Sequence, residues 1–421
     1  MTSSPNPQSA AIVAIGTELL GPLRQDTNSL WLSARLEEQG VSVVRKSVVG
    51  DEVEAIVDEV AAAARAARYI LTTGGLGPTA DDVTVTAVAR WLGVPLERNA
   101  GFLAKMRERF ARRGVPMPEC NAKQADFIAG ARVLENPRGT APGFWAEKDG
   151  REIVVLPGVP GEMKEIMEAL VLPALRNRSA GTVGRRRVLR IAGMGESAVE
   201  ELVAPVYEKW KQYPVTILAA PGEVQLHLVV RERPEEAARL LEAMESDFRR
   251  VLGPRIYGTD ADEIAVVVGR LLREKGKTLA LAESCTGGLV AALLTDVPGS
   301  SDYFLGSVVS YANSVKQSVL SVEEKTIRDH GAVSEATARS MARGALDRMG
   351  ADLALAITGI AGPDGGSPEK PVGTVFFALE ARGHEGRARK RLFFGDRPVI
   401  RRAAALHGLD MIRRHLTEEP R

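Results

Sequence analysis

Cysteine is nearly absent, with 2 in 421 residues. That is too few for a disulfide framework or a cysteine-rich zinc site, and it points to a reducing compartment. Neither sign of charge dominates: Lys and Arg number 55 against 54 Asp and Glu, a formal net charge of +1. Such a balance gives no global pull towards nucleic acid or membranes, so any anion site has to be local. No apolar run approaches the roughly 18 residues of a membrane span, and Met1 to Gln8 lack the basic stretch of a signal peptide. A cytoplasmic protein with no membrane partner is expected. Hydrophobic residues at 45% and charged residues at 26% exclude wholesale disorder. The length suits two or three domains at about 150 residues each. What the chain does have in quantity is glycine, 41 residues, and glycines gathered after strands mark backbone that approaches a ligand.

The hydrophobic pattern divides the chain into three parts. Residues 1–173 read as alternating strands and helices, with strands predicted at 11–15, 41–49, 69–73 and 153–156 and helices at 28–39, 52–67 and 162–170. Alternation at this spacing implies βαβ units and a parallel, doubly wound sheet. Residues 174–256 hold two strand-like runs and two helix-like runs, which suits a small α+β module. Residues 257–421 return to α/β alternation, opened by a helix from Ile264 for which Asp260 and Glu263 resemble a capping box.

Three segments of the last part carry chemistry. Glu283-Ser284-Cys285-Thr286-Gly287-Gly288 sits between a predicted strand and helix. A turn there exposes a side chain at the strand end, beside helix N–H groups able to stabilise negative charge. Those are the two needs of acyl transfer, a nucleophile and an oxyanion hole, although a serine before a helix also serves as an N-cap. Tyr311-Ala312-Asn313-Ser314-Val315-Lys316 follows the next strand. A lysine in a dry pocket loses its proton readily and can act as a base towards serine. Gly359-Ile360-Ala361-Gly362-Pro363-Asp364-Gly365-Gly366 has more glycine than a tight turn requires and reads as a loop closing over a ligand. Cys285 is the rival nucleophile, but no histidine lies near it in sequence. Gly395-Asp396-Arg397 opens the last helix, where Arg397 is a candidate for holding a phosphate.

Together these three segments resemble the C-terminal domain of the CinA family, the nicotinamide-mononucleotide (NMN) deamidases also called PncC. The resemblance implies hydrolysis of the carboxamide of NMN to nicotinate mononucleotide and ammonia, without a cofactor. It implies Ser284 as nucleophile, Lys316 as its base and Tyr311 bridging or orienting the pair. Backbone N–H groups of Cys285, Thr286 and Gly287 would face the oxyanion, and Asn313, Thr358 and Gly359 would contact the substrate.

The first part has its own glycine loop, Gly74-Gly75-Leu76-Gly77-Pro78-Thr79-Ala80-Asp81-Asp82, after a predicted strand. Backbone N–H groups in such a loop suit phosphate, and carboxylates at its end suit a hydrated divalent cation or a hydroxyl-bearing ligand. A plain turn with aspartate capping is the alternative. With Gly16 to Leu20, Thr27-Asn28 and Pro157-Gly158-Val159-Pro160-Gly161-Glu162-Met163, the loop resembles the N-terminal domain of the CinA family, itself similar to the molybdopterin-binding fold. That likeness implies an ADP-ribose pyrophosphatase giving AMP and ribose 5-phosphate. Gly74, Gly75, Gly77, Pro78, Thr79, Asn28, Pro157 and Gly158 would hold ADP-ribose. Asp81, Asp82 and Glu18 would lie near a divalent metal cation, whose identity the sequence does not specify.

The middle module resembles a KH-like domain in size and mix of elements. Its only GXXG, Gly181 to Gly184, runs straight into a strand and so is misplaced for clamping a nucleic-acid backbone. Direct nucleic-acid binding is not expected; a structural or dimerising role is, with a homodimer as the expected assembly. A molybdopterin-binding or competence/DNA-damage-associated factor with a non-catalytic first domain stays open, since fold does not fix function.

Overall fold

The computed structural model describes residues 6–178 and 181–417, so the outermost residues of the first and last expected parts lie outside it. Two compact units emerge, one of residues 1–185 with 230–240, the other of residues 186–229 with 241–421. The architecture is mixed α/β.

The first unit is built on strands β1 (Ser9–Ile15), β2 (Ser42–Val49), β3 (Tyr69–Thr73), β6 (Arg132–Leu134), β7 (Gly143–Lys148) and β8 (Arg151–Leu156), with a separate two-stranded ribbon of β4 (Leu96–Arg98) and β5 (Asp126–Ile128). The sheet order is β2-β1-β3-β8-β7-β6. Its first four strands are parallel, as alternation predicts. The far edge differs, because β8, β7 and β6 follow one another through short connections and pair antiparallel. Alternate strand residues feed opposite faces. Ala10, Ile12, Leu71 and Val154 join one core with Leu32 and Leu36 of the helix Thr27–Glu38. Ala11, Val13, Ile70 and Ile153 join the other with Ile56 and Val60 of the helix Val53–Ala66. Helices on both faces make the sheet doubly wound.

The small sheet has the order β10-β11-β9-β12, from β9 (Val183–Ala192), β10 (Val215–Ala220), β11 (Glu223–Glu232) and β12 (Ile256–Thr259). Gly184 lies inside β9 against the backbone carbonyl of Glu37, where a Cβ has no room. Close packing, not a nucleic-acid clamp, accounts for that glycine.

The C-terminal sheet has the order β14-β13-β15-β16-β17, from β13 (Leu279–Glu283), β14 (Phe304–Val309), β15 (Leu353–Gly359), β16 (Thr374–Ala381) and β17 (His384–Leu392). β14, β13 and β15 are parallel, and β16 and β17 extend them antiparallel. Size alternates with face. Leu279, Leu281, Leu353 and Leu355 pack towards Val268 and Leu409 of the helices Ile264–Glu274 and Arg397–Thr417. Ala280, Ala282, Ala354 and Ala356 face Ala338, Ala342 and Ala345 of Glu335–Met349. Small residues on both partners bring that helix close to the strands.

The expected capping box at Ile264 does not form. Glu263 occupies the N-cap without a side-chain bond, while Asp260 is turned back to accept from the Val188 amide at 2.9 Å. A cross-strand partner outcompetes the local one. Within the second unit, buried Asp410 accepts from Arg413 at 2.7 Å and Arg414 at 2.7 Å. The same arginines reach the carbonyls of Pro254 and Ala192, which ties the last helix to the small sheet. Among the described residues, no helix is long and apolar enough to cross a membrane.

Candidate active sites

β13 delivers Ser284 at its C-terminal end, and the Ser284 amide continues the ladder by donating to the Ile357 carbonyl at 2.9 Å. Gly287 (φ 60°) and Gly288 (φ 90°) take left-handed conformations that let the chain swing into the helix Leu289–Thr295. The fully buried carboxylate of Glu283 folds into that turn. It accepts from the amides of Gly288 (3.0 Å), Val290 (3.1 Å) and Ala291 (3.0 Å), and from the Ser307 hydroxyl (3.2 Å).

This capping corrects the expectation that the free amides of the helix serve an oxyanion, because Glu283 already takes them. The Gly287 amide is engaged too, donating to the Ser284 carbonyl at 3.1 Å. The amides of Cys285 and Thr286 make no such bond among the described residues. Glu283 belongs to the motif but no role was read for it. The available signal was an acid at a strand end five residues before the helix amide that it caps.

β14 ends beside β13, and the Ser310 amide donates to the Glu283 carbonyl at 2.8 Å. The helix Asn313–Leu320 then turns Lys316 back under the serine. Lys316 is 1% exposed. Its Nζ lies 2.6 Å from the Ser310 carbonyl, 3.2 Å from the Tyr311 carbonyl and 3.2 Å from Ser284 Oγ. Burial lowers its pKa from the ordinary 10.5, only partly opposed by Cys285. A neutral amine has two N–H donors and one lone pair. The carbonyls accept only, so they take both donors and leave the lone pair for the serine hydroxyl.

Tyr311 differs from expectation. Its carbonyl, not its phenol, reaches Lys316. The phenol is exposed and held by Arg397 at 3.0 Å, while Arg397 also donates to the Gly362 carbonyl at 2.8 Å. Coming just after a strand, Tyr311 turns its carbonyl inward and its ring out. Arg397 thus staples the tyrosine loop to the glycine loop.

A cavity of 260 Å³ opens over the pair, lined by Ser284, Cys285, Tyr311, Asn313, Lys316, Thr358, Gly359 and Arg397, and by unanticipated Ala332 and Val333. Thr286 and Gly287 do not line it. Thr286 is fully buried, and its carbonyl accepts from Arg401 at 2.7 Å. Thr358 lends its hydroxyl to the Ala332 carbonyl at 2.8 Å. Gly359 is forced by close approach, since a Cβ would meet Val375 Cγ2 at 2.7 Å. Burial pushes the Cys285 thiol up to about 12, so it is not a thiolate near neutrality.

In the first unit a cleft of 440 Å³ opens at the C-terminal ends of β1, β3 and β8, where ligands bind in open α/β sheets. Glu18, Asn28, Gly74, Gly75, Gly77, Pro78, Asp81, Asp82, Pro157 and Gly158 all line it; Thr79 does not. The Thr79 hydroxyl instead shares its one proton between Asp81 Oδ1 (2.5 Å) and Asp82 Oδ2 (2.6 Å). That bond from Thr79 is the main reason that the Asp81 pKa is lowered. Asn28 donates to Thr73 Oγ1 (3.0 Å) and the Gly158 carbonyl (2.8 Å), pinning two cleft loops, and its Oδ1 is buried without a partner. Lys123 arrives from a distant segment onto the carbonyls of Thr79 and Asp82. Asp51, Gln124 and Glu162 also line the cleft and were not foreseen. Asp51 was legible as an acid just past a strand end. Among the described residues, no group of three or more His, Cys, Asp or Glu could hold a metal ion. Asp81, Asp82 and Glu18 are therefore not a complete ligand set by themselves.

Three family models match along the chain: the probable molybdopterin binding domain over residues 11–177, the damage-inducible protein CinA KH domain over 186–258 and the CinA C-terminal domain over 261–416. A CinA-like protein of Solibacter usitatus is 44% identical, with 97% of this chain and 98% of that protein covered. The chain belongs to the CinA family. A CinA-like protein of Koribacter versatilis is 43% identical over 97% of this chain and 99% of its own length. The crystal structure of a competence-damaged protein (CinA) superfamily protein from Klebsiella pneumoniae aligns at 37% identity and a TM-score of 0.35, covering 36% of this chain and 95% of that one.

In this CinA-family chain, the buried lysine yields a stability prediction. A folded-state pKa below 10.5 means that the unfolded chain binds more protons between the two values, so stability rises with pH there. Denaturant unfolding of the wild type and of Lys316→Met should diverge accordingly. The wild type should gain on the variant as pH rises towards 10.5, with a slope of at most about 1.4 kcal/mol per pH unit. A difference that stays flat with pH would mean that Lys316 titrates as an ordinary lysine.

Proposed function

We propose that the second unit hydrolyses the carboxamide of NMN to nicotinate mononucleotide and ammonia. The observation that carries this reading is the buried Lys316 amine, 3.2 Å from Ser284 Oγ with its N–H groups directed at two carbonyls. Ser284 Oγ attacks the amide carbon as Lys316 takes the hydroxyl proton, and the amide of Cys285, which lines the cavity, is the oxyanion donor. Lys316 returns that proton to the departing nitrogen, so ammonia leaves and the nicotinoyl ester of the mononucleotide remains on Ser284. Water then attacks the ester with Lys316 again as base, which frees the acid and restores the serine. Arg397 and Asn313 line the cavity, and in this reading they take the phosphate and ribose.

The first unit supports a second reading, hydrolysis of ADP-ribose to AMP and ribose 5-phosphate. The observation behind it is the cleft at the strand ends, which joins a glycine loop to Asp81 and Asp82. Two carboxylates with open oxygens suit a hydrated cation that arrives on the substrate's own phosphates.

Ser284→Ala should abolish ammonia release from NMN while NMN binding remains measurable, and Cys285→Ala should keep most of the activity. A dead Cys285 variant beside an active Ser284 variant would reverse the nucleophile assignment.

Asp82→Ala should lose AMP formation from ADP-ribose and leave ammonia release intact, and a chelator should do the same to the wild type. Hydrolysis that survives the chelator would remove the role given to the carboxylates.

A further inference from the structure

β17 is an edge strand of the C-terminal sheet. Its alternation sets Arg387, Arg389 and Arg391 opposite Leu379, Phe377 and Val375 of β16. Those three β16 residues belong to the leucine-rich core, so the arginines share the face covered by the helix Arg397–Thr417. There they line a cavity of 140 Å³ with His407, Asp410 and Arg414 of that helix. Arg387 and Arg389 also border a wider cavity of 650 Å³, whose wall includes Lys275, Lys277, His384 and His415. The two cavities adjoin along the shared arginines.

The narrow end is short of negative charge. Its one carboxylate, Asp410, is already held by Arg413 and Arg414. Arg391 has no ion pair among the described residues, and the bond recorded for Arg389 is a 3.4 Å contact with the carbonyl of its neighbour Ala388. His407 supplies an independent sign of a missing ligand. Its ring is 8% exposed and packs edge-on against Phe377 at 4.8 Å and Phe393 at 6.1 Å, yet Nε2 is buried without any partner. Buried polar atoms rarely go unpaired. Burial, then Arg391, Arg414 and Arg389, push its pKa to about 4, against the opposing pull of Asp410.

We propose that these adjoining cavities form a second ligand site, which takes a nucleotide carrying two or more linked phosphates, with the phosphates among the arginines and the base in the wide end. Guanidinium forks match phosphate oxygens in pairs, and two arginines without an ion pair among the described residues, Arg389 and Arg391, set side by side on one face, call for a multivalent anion. The wide end has a different character. Leu353, Ala381 and Leu416 supply apolar wall for a planar base. Its volume falls within the roughly 300–1,000 Å³ of small-molecule sites. Lys277 and Leu353 stand at the N-terminal ends of β13 and β15, whereas Ser284 and Gly359 stand at the other ends. The site is therefore separate from the Ser284 cavity and does not depend on the amidase reading.

The test titrates ADP and pyrophosphate into the full-length protein by calorimetry, for the wild type and for Arg389→Glu/Arg391→Glu. Both arginines are exposed and neither lines the Ser284 cavity, so the variant should keep its melting transition and its ammonia release. The wild type should show an ADP-binding event that weakens at least tenfold in the double variant, with pyrophosphate at least tenfold weaker than ADP. ADP should also raise the His407 pKa, read by NMR, from its starting value of about 4. Identical ADP isotherms in the two proteins, or a His407 pKa that ADP leaves unmoved, would overturn the site. Pyrophosphate binding as tightly as ADP would overturn its assignment to a nucleotide.

Discussion

The arrangement around Ser284 depends on an amine that has lost its water without gaining a counter-charge. Lys316 Nζ meets two backbone carbonyls and a hydroxyl. None of these repays the loss of hydration as a carboxylate would, so burial lowers the lysine pKa. The fold supplies this arrangement cheaply. β13 and β14 are parallel neighbours, so the residues that follow each of them emerge side by side, one bearing the serine and the other the carbonyls and the lysine. The short helix Asn313–Leu320 only has to turn its fourth residue back towards the sheet.

A buried carboxylate, Glu283, lies one residue from Ser284, and it could have ruined this arrangement. Had it reached Lys316, the ion pair would have held the amine protonated. Three helix amides and the Ser307 hydroxyl satisfy it instead, which is the favourable placement of an anion at a helix N-terminus. The same contacts fix the turn that carries Ser284. Glu283 thereby fixes the position of Ser284, with its own charge spent on the helix N-terminus.

Much of this was legible in the sequence because it is local. The strand–turn–helix reading at Ser284 and the glycine loops at strand ends follow from short segments, alternation of strands with helices implied the parallel sheet, and the pairing of Ser284 with Lys316 came with the family resemblance. What escaped was set by tertiary contacts. The outward turn of the Tyr311 phenol follows from Arg397, 86 positions away along the chain. The engagement of the Gly287 amide and the capping by Glu283 are three-dimensional facts about one turn. Lys123 reaches the first glycine loop from another segment, and the capping box at Asp260 lost to a strand partner, Val188. The antiparallel edges, β6 with β7 and β16 with β17, are likewise invisible to periodicity, which shows that a strand exists and not which way its neighbour runs.

The central claim is that a neutral, buried Lys316 is the base for Ser284, and the pH dependence of kcat/KM for ammonia release from NMN tests it most directly. The account predicts a limb that rises with an apparent pKa below 10.5 and a Lys316→Arg variant without measurable turnover at any pH, because a guanidinium cannot give up its proton. A rate independent of pH across that range, or near-normal turnover in Lys316→Arg, would contradict it.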